Sequence, residues 1–170
     1  MSMQLKEDGL VVRAPLWAKD RQIREFIEKN RAWIERQQEK LRAREETSDI
    51  QRLTMEEIRD LADRASAYIP ERVRYFAPLV GVTYGRITIR NQKTRWGSCS
   101  QKGNLNFNCL LMLTPPEVID SVVVHELCHR LELNHSKRFY DEVYRVMPDY
   151  SRWDRWLKQN GGAIMRRMTG

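Results

Sequence analysis

The sequence predicts an α+β fold in which N-terminal helices precede a small antiparallel sheet packed on a buried, metal-binding helix. Three observations predict it. Apolar residues recur at helical spacing through residues 17–76, and β-branched and alternating residues replace them at 87–107. A broadly apolar helix then runs into a histidine cluster. At 170 residues the chain suits one compact domain overall, with an N-terminal strand and helical region over 1–80 and a core over 81–170. A 41% hydrophobic share excludes wholesale disorder.

The first expected element is a strand at Leu10–Arg13, ended by Pro15. Residues 17–46 read as one helix, with Trp17, Ile23, Phe26, Ile27, Trp33, Ile34 and Leu41 near helical spacing. Thr47, Ser48 and Asp49 mark a break. Thr54 with Glu57 three residues later is a capping-box signature, so a second helix starts there and runs to about Tyr68. Pro70 opens a further segment through Phe76, stopped near Pro78 and Gly81.

Ile87, Thr88 and Ile89 suit a strand. Leu105 and Phe107 alternate with Asn106 and Asn108, which predicts a strand with a polar outer face. Turn residues at 97–98 and 101–104 make this an antiparallel hairpin or meander. Thr114 is the expected cap of a helix opened by Pro115-Pro116, with Val118, Ile119, Val122, Val123 and Leu127 as its apolar stripe. Two more helices are expected, at about Lys137–Val146 and around Arg152–Lys158. Met147 reads as a core methionine.

The chain has only three histidines, and they fall at i, i+4 and i+10: His125, His129 and His135. Chance gives that spacing in roughly one chain in 5,000 of this length and histidine content, so a bland reading fails. On a helix, His125 and His129 present both rings from consecutive turns of one face, as a zinc ion requires. Glu126 points about 100° away around the axis, beside the metal without ligating it, where a general base for water belongs. His135 would lie about 9 Å past His129 if the helix continued. A sharp turn before it is therefore expected, with Asn134 as the reversal point. With no fourth histidine, one coordination position is left to water or to a non-histidine ligand; a position open to water marks a catalytic site rather than a closed structural one. Cys99, Cys109 and Cys128 form no C-x-x-C pair, and Cys128 faces away from the ligand pair by helical phase.

The segments Arg95-Trp96-Gly97-Ser98-Cys99, Gly103-Asn104-Leu105-Asn106-Phe107-Asn108, Val122-Val123-Val124-His125-Glu126-Leu127-Cys128-His129 and Asn134-His135-Ser136-Lys137-Arg138-Phe139 carry a resemblance. Together with Val11-Val12-Arg13-Ala14-Pro15 and Trp33-Ile34, they resemble the YgjP-like metallopeptidase domain, to about residue 158. The resemblance implies a zincin-type metal-dependent hydrolase, SprT-like at the site. His125, His129 and His135 would be the zinc ligands and Glu126 the general base. Metzincins share the spacing but place Gly three residues after the second histidine, where this chain has Glu132.

The expected function is a cytoplasmic zinc metallopeptidase acting on peptide or protein substrates. No run of 18 apolar residues and no secretory signal is visible, so no membrane partner is expected, and the low, odd cysteine count suits a reducing cytosol. Strand 104–108 is expected to line the cleft and bind extended substrate at its edge. Tyr140, Tyr144 and Arg95 are the oxyanion candidates. The formal charge is +7, and no acidic residue lies between Glu71 and Glu117, where Arg72, Arg74, Arg86, Arg90, Lys93, Arg95 and Lys102 stand. That asymmetry allows a nucleic-acid partner, hence the alternative of a protease acting on DNA-bound proteins. A non-catalytic module stabilised by zinc is the other alternative.

Overall fold

The computed structural model describes residues 2–6, 9–15, 17–48 and 51–168, and the chain falls into two compact units, Met1–Ile50 and Gln51–Gly170. No helix among the described residues is long and apolar enough to cross a membrane.

In the first unit, β1 (Ser2–Lys6) pairs antiparallel with β2 (Gly9–Arg13), from Ser2 opposite Arg13 to Lys6 opposite Gly9. The helix expected over 17–46 is two helices, α1 (Asp20–Lys29) and α2 (Arg31–Ser48). Asn30 separates them. Its Nδ2 donates to the Phe26 carbonyl at 2.8 Å, the acceptor its own amide would use in a continuous helix. That amide turns instead to the Ile27 carbonyl at 3.0 Å. Trp17 lies before α1 and is exposed. Thr47 and Ser48 belong to α2, while Asp49 and the side chain of Leu41 lie outside the described residues.

The second unit begins with α3 (Met55–Val80), capped as the sequence predicts: Thr54 accepts from the Glu57 amide at 3.2 Å, and Glu57 Oε2 accepts from the Thr54 amide at 2.7 Å. It does not break at Pro70. Leu61, Ala65, Ile69, Val73 and Phe76 keep one buried stripe across the proline, and burying that stripe outweighs the roughly 3 kcal/mol cost of interior proline. The helix ends at Gly81, whose φ of 84° is left-handed and whose amide donates to the Ala77 carbonyl at 2.9 Å.

A three-stranded sheet follows: β3 (Ile87–Arg90), β4 (Gly97–Cys99) and β5 (Leu105–Asn108), in the order β3-β5-β4. The strand expected at 87–89 runs parallel, not antiparallel, to β5, and the antiparallel partner of β5 is β4, whose Gly97 and Ser98 read as turn residues. The sheet is therefore mixed rather than wholly antiparallel. The reason lies in residues 91–96, which carry the chain from one sheet edge to the other. Asn108 at the end of β5 pins them, with Nδ2 donating to the carbonyls of Gln92 at 2.7 Å and Arg95 at 2.9 Å. Asn108 is thus fully buried, not part of a polar outer face.

After a 3-10 helix (Cys109–Leu113), α4 spans Pro116–Cys128. Thr114 donates to the Leu111 carbonyl at 2.7 Å, so it closes the 3-10 turn instead of capping α4. α4 packs on α3, on β4, and on α5 (Lys137–Val146) and α6 (Tyr150–Arg166). Val118, Val123, Val124 and Leu127 are fully buried, and Met147 joins this core. Arg72 clamps Asp120 with two hydrogen bonds, 2.7 and 2.9 Å, tying α3 to α4. α6 runs past its expected end through Gly161 because this glycine serves packing. A Cβ there would meet the Trp96 ring at 2.9 Å.

Candidate metal centre and active site

The last turn of α4 presents His125 and His129, and the chain then reverses. Amides of Leu131 and Glu132 both donate to the Cys128 carbonyl at 3.0 Å, and His129 Nδ1 donates to the Glu132 carbonyl at 3.1 Å. Among the described residues no non-glycine has positive φ, so Asn134 does not make the turn through left-handed geometry as expected. Ser136 caps α5, accepting from the Phe139 amide at 3.3 Å, which sets His135 just before the helix and Phe139 in its first turn.

The three histidines meet. Nε2 of His125 lies 3.2 Å from Nε2 of His129 and 3.0 Å from Nε2 of His135. All three donors lie within 4.8 Å of one another, and tetrahedral zinc with Zn–N near 2.0–2.1 Å needs nitrogens roughly 3.3–3.4 Å apart, close to both short distances. The Nδ1 atoms of His129 and His125 have partners. The carbonyl partner makes His129 Nδ1 the protonated nitrogen and leaves Nε2 free to ligate. His125 Nδ1 lies 2.8 Å from Tyr150 Oη at the start of α6. Phe139, fully buried, is a platform for all three rings, with centroids 4.6 to 5.0 Å away. Burial, aided by the neighbouring His129 and His135 rings, pulls His125 down to about 4; burial lowers His129 also. Both are thus kept neutral, the form that ligates metal.

Glu126 projects from the same turn towards β4 and is 7% exposed. Burial pushes its carboxyl up to about 8. Gly97 makes room for it, since a Cβ there would stand 2.8 Å from Glu126 Cγ and Oε1. Cys99 lines the same cleft, and burial raises its thiol. Cys128 is buried and pushed up to about 12; the one group of residues able to hold a metal among those described contains no cysteine.

The open cleft, about 310 Å³, runs between the histidines and the edge of β4. The strand lining it is therefore β4, not the expected 104–108 strand, which is central in the sheet. Trp96 carbonyl accepts from Asn108, and the Ser100 amide donates to Asn104, both towards the β5 side. Strand alternation then turns the backbone groups of Gly97 and Cys99 outward to the cleft. Of the three oxyanion candidates only Arg95 lines it; Tyr140 and Tyr144 are exposed residues of α5, with Tyr140 beside the His135 ring. Two cations of the acid-free stretch are consumed, Arg72 by Asp120 and Arg74 by Glu71.

Sequence reasoning did not find Tyr150, Phe139 as a platform, or Gly97 as a spacer. A partner on a metal ligand's second nitrogen typically sets affinity by 10–100-fold. Tyr150→Phe is therefore expected to weaken metal binding by about that factor, read by competition with a chromophoric chelator; unchanged affinity would show that Tyr150 does not orient His125.

The sequence profile of the YgjP-like, metallopeptidase domain family matches residues 1–60 and 51–160 of this chain. Among solved structures, the metallopeptidase zymogen abylysin of Pyrococcus abyssi is 21% identical, with a TM-score of 0.48 over 54% of this chain and 93% of that one. The zymogen jannalysin of Methanocaldococcus jannaschii is 19% identical, with a TM-score of 0.48 over 54% of this chain and 95% of that one. No curated protein matches.

Proposed function

This chain belongs to the YgjP-like metallopeptidase family, and on that premise we propose that it is a zinc-dependent peptidase with His125, His129 and His135 as ligands and Glu126 as general base. A member of this family is a metal-dependent hydrolase of peptide bonds. What supports the finer reading is the convergence of His129 and His135 Nε2 to within 3.2 Å of His125 Nε2, beside a buried carboxyl that does not join them.

When bound, zinc supplies the Lewis acidity that brings the pKa of water to about 7 and polarises a carbonyl. In its ionised form Glu126 accepts a proton from the attacking water and returns it to the amide nitrogen as the C–N bond breaks, so it ends the cycle as it began. The outward backbone groups of Gly97 and Cys99 hold the substrate extended along β4. Arg95, which lines the cleft, is the group we assign to the developing negative charge on the carbonyl oxygen. The three cysteines are free thiols, which suits the cytosol in which we place the protein.

Metal analysis paired with digestion of an unfolded protein substrate tests this. One zinc per chain is expected, with hydrolysis lost to a chelator and restored by zinc. One bound zinc without hydrolysis would instead describe a non-catalytic module, and absence of zinc would overturn the ligand set.

A further inference from the structure

Beside the cleft lies a second cavity, of about 220 Å³, that the chemistry above leaves unused. It opens off the cleft at Arg95, Gly97, His125 and Glu126, which line both. Ser121 and Val122 form its floor, one turn before the histidine pair. Tyr150, Asp154 and Leu157 form a wall, recurring at helical spacing on one face of α6. Trp96 closes the third side, held by its close packing on Gly161.

Ser121, Tyr150 and Asp154 of this lining are engaged within the protein, while Arg95 and Glu126 stand where the cavity joins the cleft. Ser121 Oγ donates to the Val118 carbonyl at 2.7 Å, Tyr150 Oη lies 2.8 Å from His125 Nδ1, and Asp154 Oδ2 accepts from Lys158 Nζ at 2.6 Å. A polar side chain passing beyond Arg95 and Glu126 would leave water and meet Ser121, Tyr150 and Asp154, whose bonds are largely made within the protein, which is costly. An aliphatic one gives up no hydrogen bond and gains apolar burial against Val122, Leu157 and Trp96.

We propose that this cavity receives an aliphatic side chain, of the leucine or methionine class, from a substrate residue flanking the scissile bond, and that Leu157 sets its depth. The proposal rests on the peptidase reading of the adjoining cleft. The preference is therefore set by α6, a helix that supplies no metal ligand.

The test measures binding apart from turnover. N-acetyl hydroxamates of leucine, glycine, phenylalanine and arginine are titrated calorimetrically into the zinc-loaded chain. The leucine compound is expected to bind about tenfold more tightly than the glycine compound. Leu157→Trp erases that difference while glycine hydroxamate binds as before. Leu157→Ala, which adds no bulk to the wall, shifts preference towards phenylalanine. No difference among the compounds, tighter binding of the arginine compound, or a preference untouched by both substitutions would overturn the pocket. Digestion of a peptide mixture separates the two readings. Leucine preference without any cleavage overturns the peptidase reading and leaves the pocket standing. Cleavage without an aliphatic preference overturns the pocket alone.

Discussion

In Glu126→Gln, peptide hydrolysis is expected to fall by about 10²–10⁴-fold, the usual contribution of a positioned general base, while zinc stays bound. The substitution preserves shape and removes only the ability to take a proton. The three imidazoles and their partners, the Glu132 carbonyl and Tyr150 Oη, do not involve Glu126, so metal content should match the wild type. Zinc content and turnover measured on the same preparation decide the matter. Retained hydrolysis would sink the proposed mechanism, and loss of zinc together with hydrolysis would make Glu126 a metal-site residue instead of a base.

The same substitution changes the stability of the metal-free protein in a direction the burial dictates. The Glu126 carboxyl is raised from an ordinary 4.5 to about 8, so between those values the folded state keeps a proton that the unfolded state loses. Stability therefore falls as pH rises through that window. His125 acts oppositely: its pKa drops from 6.5 to about 4, so stability rises with pH across that interval. The two slopes oppose up to pH 6.5, and beyond it the Glu126 slope stands alone. At about 1.4 kcal/mol per pH unit, chelator-treated wild type loses about 2 kcal/mol between pH 6.5 and 8. Glu126→Gln should abolish that loss and be the more stable protein at pH 8. Denaturant midpoints at the two pH values would read it, and parallel curves for the two proteins would refute a buried, proton-bearing Glu126.

The second large effect comes from a residue with no side chain. Gly97→Ala is expected to lower turnover by about 10²-fold, with zinc retained. Its new methyl would stand 2.8 Å from Glu126 Cγ and Oε1, and a displacement of order 1 Å in a reacting group costs about that much. Either the base swings away or β4 shifts, and both spoil the alignment of water, carboxyl and the substrate strand. Activity close to wild type would mean that Glu126 has a second productive position.

Much of the active region could be read from the sequence because it is local. The pairing of His125 with His129 follows from helical pitch alone, and Glu126 is placed by the same rule. The capping box at Thr54 and Glu57 likewise needs only three residues of separation. The α5 span Lys137–Val146 is the one expected, because Ser136 caps it and Phe139 and Val143 supply its buried face. Where reading failed, a distant partner had overruled a local preference. Pro70 suggested a break, yet the buried stripe of α3 runs through it. The last helix was expected to stop near Lys158, yet it runs on through Gly161, where Trp96 packs. Asn108 looked like an outward polar residue, yet it is the buried anchor of residues 91–96, and that crossing makes β3 parallel to β5.

The sequence by itself determined that His125 and His129 share one helix face and that Glu126 follows the first of them, since spacing along one helix becomes geometry without help from the rest of the chain. Only the tertiary structure decided that His135 reaches the other two, that Tyr150 orients His125, that Gly97 admits Glu126 to the strand edge, and that α6 walls a pocket beside it. Those contacts join residues ten to more than fifty positions apart. Such pairs leave no period in the sequence, and they form only when burial of the α4 core draws β4, α5 and α6 around one helix.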